Sequence, residues 1–196
     1  LYSRAYSSQA KPENWEKTLE GLRRSVVELV TFYPHQDLYF LARDGEFLYD
    51  MAKACFFDRP SVLSRLHLIN VSRKNMKSEH LKKYLESQGL TKDRIKKNGA
   101  VLIDKGILGT IPERIELTLG QSSNPKLKSH MLVSKNRNIP STRVFIEPFN
   151  PLVGRVPISH FHGMLLNFEL IPHFTQTSEN FELRDGSWHP VSSVNA

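Results

Sequence analysis

Two stretches of this chain set a carboxylate and glycine directly after a short apolar run. One is Ala42-Arg43-Asp44-Gly45-Glu46, which follows Leu38 to Leu41. The other is Asp104-Lys105-Gly106-Ile107-Leu108-Gly109-Thr110, which follows Ala100 to Ile103. Each leads into a pattern of helical period, so each reads as a strand, a polar turn and a helix. That arrangement aims backbone N–H groups and a helix dipole at an anion. Two such turns point to two phosphate sites. A single turn of this kind also serves a purely structural βα connection, where Gly relieves the backbone and Asp caps the helix.

The elements that must hold these turns follow from periodicity. Trp15, Leu19, Leu22, Val26, Leu29 and Val30 form one apolar stripe, which predicts a helix from Pro12 to Phe32 that ends before Pro34. Leu38 to Ala42 is a continuous apolar run, the mark of a strand buried on both faces of a parallel sheet. Phe47, Leu48, Met51, Ala52 and Cys55 make the next helical stripe, running to Asp58-Arg59-Pro60. Leu66 to Val71, Ala100 to Asp104 and Leu127 to Val133 read as further strands, with Pro112, Ile115 and Leu119 on a helix between the last two. The alternation predicts an α/β fold, a doubly wound parallel sheet. Asp104 then stands at the carboxyl end of its strand, where ligands bind in such sheets.

Residues 72–98 are polar and basic, with a helix expected from Ser78 to Ser87 closed by Gly89. Length and charge predict a mobile loop or lid there. Past Lys135 the pattern changes to short strand-like pieces at Val144 to Ile146, Gly163 to Leu170, Phe181 to Leu183 and Trp188 to Val191, with Asp185-Gly186 as a hairpin turn. The expected organisation is an α/β core over residues 1–135 and a β-rich cap over 136–196.

Composition narrows the classes. Over 196 residues, 39% are hydrophobic and 24% charged, and no apolar run is long enough to span a bilayer, so a soluble chain is expected. The chain starts at Leu1 without the charged-then-apolar plan of a signal peptide, as expected of a piece of a longer protein. The single Cys55 excludes an internal disulfide and a cysteine-rich zinc site, and its helical spacing marks it as a core residue. His67 alternates with apolar residues and reads as a satisfied sheet histidine. His160 and His162 would share one face of a strand, but a third metal ligand has no obvious spacing. A net charge of +7, with nine Lys and Arg between Arg73 and Lys97, suits nucleic acid, an anionic surface or a phosphorylated small molecule. Only Tyr84 interrupts that basic stretch, whereas stacking platforms for single strands interleave many aromatics.

Together the two turns, in this order and with the basic segment between them, resemble the type I phosphoribosyltransferase fold over roughly residues 37–133. The chain is more closely similar to a bacterial group of phosphoribosyltransferase-like proteins, some fused to haloacid-dehalogenase-like hydrolase domains and some secreted as effectors. Arg43-Asp44-Gly45, the Asp104 to Thr110 loop, Glu169 and the Asp185-Gly186 hairpin carry that similarity. The resemblance implies a phosphorylated sugar or nucleotide as ligand, Mg²⁺ as cofactor, and displacement of pyrophosphate at a sugar C1. Asp104 would hold the ribose, Arg43 and a residue such as Arg73 or Lys74 the leaving pyrophosphate, and Thr110 with the backbone of Lys105, Gly106, Ile107, Leu108 and Gly109 the 5-phosphate. Ala42, Gly45 and Glu46 would line the first turn, Asp44 and Asp104 would face the metal, and Glu169 would supply a carboxylate from the cap. Lys105 stands where a second acidic residue is usual. It keeps Asp104 ionised and removes one hydroxyl acceptor. Two rival readings follow: a binding or regulatory module without catalysis, and a basic domain for nucleic acid or protein whose glycine turns are structural. The compartment implied is cytoplasmic, or a host cell if the chain is a secreted effector.

Overall fold

The computed structural model describes residues 12–42, 45–104, 110–121, 124–133, 142–146 and 178–191. Helix α1 spans Pro12–Phe32 and leads into strand β1, Asp37–Leu41. Helices α2, Glu46–Cys55, and α3, Pro60–Leu63, precede strand β2, Leu66–Ile69. A 3-10 turn at Asn75–Lys77 and helices α4, Leu81–Ser87, and α5, Lys92–Asn98, lead to strand β3, Ala100–Asp104. Helix α6, Thr110–Thr118, strand β4, Leu127–Val133, strand β5, Thr142–Ile146, and a hairpin of β6, Asn180–Arg184, and β7, Ser187–Val191, complete the described chain.

Strands β2, β1, β3, β4 and β5 lie side by side in that order, every pair parallel. The strand at Val144 to Ile146, expected in the cap, instead extends this sheet beyond residue 135 by pairing with β4. β6 and β7 form a separate antiparallel pair, joined as expected through Asp185 (φ 50°) and Gly186 (φ 77°), the left-handed pair that a tight hairpin requires.

All five residues of β1 are buried, because its neighbours β2 and β3 close both edges and helices close both faces. Leu38 and Phe40 face Leu22, Val26, Leu29 and Val30 of α1 and Leu48 and Ala52 of α2. Leu19, the first turn of that stripe to be described, lies at its exposed rim. Tyr39 and Leu41 face the other way, onto Leu81, Tyr84 and Leu85 of α4, Ile95 of α5 and Ile115 of α6. Each such side chain withdrawn from water contributes about 1.5–3 kcal/mol. Cys55 packs half-buried against the first cluster, as its spacing predicts. Arg65 ties α1 to the sheet, its guanidinium donating to the carbonyls of Val30 (2.9 Å), Tyr33 and Gln36 (3.1 Å), acceptors that the helix end leaves open.

Residues 72–98 are not a lid but a packed helical crossover. Leu81, Tyr84, Leu85, Leu90 and Ile95 sink into the second cluster while Lys82, Lys83, Lys92, Lys96 and Lys97 remain exposed. The basic composition belongs to one face of two short helices, and the apolar positions between the charges decide the packing. α5 is fixed further by a buried carboxylate at the start of β1. Asp37, 2% exposed, accepts from Arg94 Nε (2.7 Å) and Nη2 (2.9 Å) and from Asn98 Nδ2 (3.1 Å). His67 sits beside this pair, its ring stacked on Tyr39 at 4.6 Å and its Nε2 3.0 Å from Arg94 Nη2. A guanidinium only donates and the Asp37 Oδ1 at 3.4 Å from the same nitrogen only accepts, so the shorter Arg94 contact makes Nε2 the acceptor of a neutral imidazole with its proton on Nδ1. His67 is thus the satisfied sheet histidine expected.

Burial pushes the Asp37 carboxyl up, yet the hydrogen bonds from Arg94 and Asn98 and the Arg94 charge hold it below its ordinary range. Burial, then the Arg94 charge, hold His67 below its usual 6.5 although Asp37 favours the cation. Both groups bind protons less readily folded than unfolded. Their stabilisation is therefore full above the unfolded values and declines as pH falls, with the His67 part starting near 6.5. Urea unfolding at pH 7 and pH 5 should show a loss that is smaller in His67→Gln than in the wild type. Equal losses would remove His67 from this account.

Gly45 closes the turn after β1. Its N–H donates to the Leu41 carbonyl at 2.7 Å, and a Cβ there would stand 2.5 Å from that same oxygen. Gly45→Ala should cost about 2 kcal/mol, in the range of overpacked sites, read as a lower urea midpoint at unchanged slope.

Candidate functional site

Parallel strands end together, so the carboxyl ends of β2, β1 and β3 form one edge. Phe40 pairs with Ile103, which sets the turn after Leu41 beside Asp104. Chain order runs from β1 outward to β2 and then back across to β3, so the strand order reverses between β1 and β3 at this edge. Crevices at such reversals are where open α/β sheets bind ligands. Two helices begin here: α2 at Glu46 directly after the buried Gly45, and α6 at Thr110, which is exposed. Ala42 is buried and donates its N–H to the Ile69 carbonyl at 2.7 Å, which ties the first turn to the end of β2. Asp104 is half-buried as the last residue of β3.

The edge carries features that compete with an anion. Glu46 and Glu113 occupy the first turns of α2 and α6, where their carboxylates complement the helix dipoles that an anion would use. Gly45 has φ −92°, an ordinary value, so the close approach to Leu41 is what demands glycine there. Arg43, Asp44, Lys105, Gly106, Ile107, Leu108, Gly109 and Glu169 lie outside the described residues, as do His160 and His162. Among the expected positions, Ala42, Gly45 and Glu46 follow β1, Asp104 ends the adjacent β3, and Thr110 opens α6. Arg73 and Lys74 lie on the neighbouring loop after β2.

That loop is built around Asn75, which is fully buried. Its Oδ1 accepts the Ser72 N–H (2.7 Å), and its Nδ2 donates to the Asn70 carbonyl (3.1 Å) and to Ser178 Oγ. Ser178, just before β6, donates to Asn70 Oδ1 (3.1 Å), and its carbonyl accepts from Ser72 Oγ (2.7 Å). Tyr84 stacks on Phe181 at 4.2 Å, and its hydroxyl accepts the Asn70 N–H at 2.7 Å. Burial pushes the Tyr84 phenol up to about 12, so it stays protonated through the neutral range. On the other side Arg114 of α6 donates to the Met76 carbonyl at 3.0 Å, and Met76 and Ile111 pack on the same core cluster. The loop therefore spans from the hairpin to the first turns of α6, with Arg73 and Lys74 exposed on it.

Sequence reasoning missed Asn70, Asn75 and Ser178, whose types are common in loops and whose partners lie over a hundred residues apart. Among the described residues no three His, Cys, Asp or Glu side chains converge. Asp104 brings one carboxylate, a hard oxygen donor, to the end of β3.

No protein-family model matches the chain, and no curated protein matches it. The fold by itself defines a mixed α/β protein built on an all-parallel sheet with a small antiparallel hairpin. No helix among the described residues is long and apolar enough to cross a membrane.

Truncating one partner of a satisfied buried network leaves the other unpaired. Asn75→Ala should cost about 2–3 kcal/mol, and a double-mutant cycle with Ser178→Ala should return a coupling near 1 kcal/mol. Additive losses would show that the hairpin and the loop are energetically independent.

Proposed function

We propose that this chain is a phosphoribosyltransferase-like protein with a doubly wound core, which binds a phosphorylated sugar or nucleotide together with Mg²⁺ at the carboxyl edge of its sheet. The observation that carries the reading is the position of Asp104, at the end of β3 beside the Gly45 turn of β1, where the strand order reverses. An acceptor carboxylate and two helix starts at one reversal suit a ligand with hydroxyls at its centre and phosphates at its ends.

In this reading Asp104 accepts hydrogen bonds from the sugar hydroxyls, and the N–H groups at the start of α6 with the Thr110 hydroxyl take the 5-phosphate. Arg43, Arg73 and Lys74 take the diphosphate. When bound with the ligand, Mg²⁺ neutralises the leaving diphosphate, and Asp44 and Asp104 are the carboxylates that would hold it. As the bond from C1 to the diphosphate oxygen lengthens, charge passes to that oxygen, and fixed cations stabilise it more than they stabilise the ground state. Glu169 is the carboxylate assigned to the C-terminal segment.

A second reading, a polyanion-binding domain, draws on the exposed Lys92, Lys96 and Lys97 on α5. Calorimetry with phosphoribosyl pyrophosphate separates the two. Magnesium-dependent binding that Asp104→Asn reduces at least a hundredfold, with the thermal midpoint retained, is the expected result. Binding unchanged in that variant, or none by the wild type alongside steeply salt-dependent binding of an oligonucleotide, would overturn the first reading in favour of the second.

A further inference from the structure

Lys74, one of the two cations on the loop after β2, does not face solvent alone. Its Nζ pairs with Glu179 Oε1, a carboxylate brought from the other end of the described chain. Glu179 is rigidly placed. The preceding Ser178 is 2% exposed and makes three hydrogen bonds, one each with Asn70, Ser72 and Asn75. The Glu179 N–H donates to the Val191 carbonyl at 2.7 Å, and Asn180 Oδ1 accepts from Ser78 Oγ at 2.8 Å. The neighbouring Arg73 is exposed on the same loop. One cation of this adjacent pair is thus paired with a carboxylate whose backbone is held on both sides.

We propose that Glu179 is a built-in competitor for the anion site: a phosphate oxygen of the ligand takes Lys74 in place of the Glu179 carboxylate. The inference rests on the anion-binding reading given above and adds to it what pairs with this lysine before the ligand arrives. The exchange is feasible because both side chains remain accessible, Lys74 at 61% and Glu179 at 36% exposure, so neither must be dragged from a dry interior. Phosphate oxygens bear more charge than a monocarboxylate and form stronger charge-assisted hydrogen bonds with an ammonium group. The competitor also keeps the loop from presenting two adjacent unpaired cations before ligand arrives. An exposed pair is weak, so the effect on affinity is modest, a factor of about three to five.

The test is calorimetric titration with inorganic pyrophosphate and Mg²⁺ at fixed ionic strength. Glu179→Gln keeps the side-chain shape and removes the charge, and should tighten binding about three- to fivefold. In a Lys74→Ala background the same substitution should change nothing, since the effect acts through that lysine. Glu182→Gln removes an equal charge from the same hairpin, at a carboxylate paired with Arg184 instead, and should leave affinity as in the wild type. Wild-type binding that Glu179→Gln does not tighten, that Glu182→Gln tightens equally, or that Glu179→Gln tightens even without Lys74, would overturn the competitor while leaving the anion site standing. Absence of binding by both the wild type and Glu179→Gln would overturn the competitor and the anion-site reading together.

Discussion

A parallel sheet covered on both faces offers no water to a charged group, and Asp37 places a carboxylate at the head of its innermost strand. The fork of Arg94 meets it with two hydrogen bonds and Asn98 adds a third. Both donors sit on α5, so matching this one charge fixes the crossover between β2 and β3 against the amino-terminal edge of the sheet. Removing a partner from such a pair strands a charge that burial makes costly. The path from β2 back across β1 to β3 depends on that match, and the reversal of strand order depends on that path.

The consequence emerges at the opposite edge, roughly 13 Å away along β1 at the usual rise per residue. There the chain leaves β1 and β3 side by side, with Phe40 paired to Ile103 although 63 residues separate them. The amino-terminal edge is closed by internally matched charges. The carboxyl edge instead ends in a half-buried Asp104, with Thr110 exposed at the start of α6 and Arg73 and Lys74 exposed on the loop after β2. The buried ion pair and the proposed ligand site thus stand at opposite ends of the same three strands.

The C-terminal hairpin joins the second end, not the first. Its Phe181 stacks on Tyr84, and the serine before it closes a polar knot with Asn70, Ser72 and Asn75. An apolar contact supplies adhesion and the buried hydrogen bonds supply register, since only one placement satisfies every donor and acceptor. The loop after β2 is consequently a shared part of the core and the hairpin, and its two cations are positioned by residues from both.

The core was legible because the apolar residues of its helices recur at a period of 3.6 and its central strands are short unbroken apolar runs. β3 and β4 fall on the runs that read as strands, and the inward residues of α6 are those its spacing indicates. Asp104 at a strand end was legible for the same reason. The charged stretch from Arg73 to Lys97 misled because composition averages over faces, and the few apolar positions that pack α4 and α5 are diluted by exposed lysines. The pairing of β5 with β4, the answer of Arg94 to Asp37, and the knot between Asn75 and Ser178 were decided by the tertiary structure alone. Periodicity is a property of neighbours along the chain, whereas the partner of a strand edge or of a buried polar group is chosen by segments that only packing brings together.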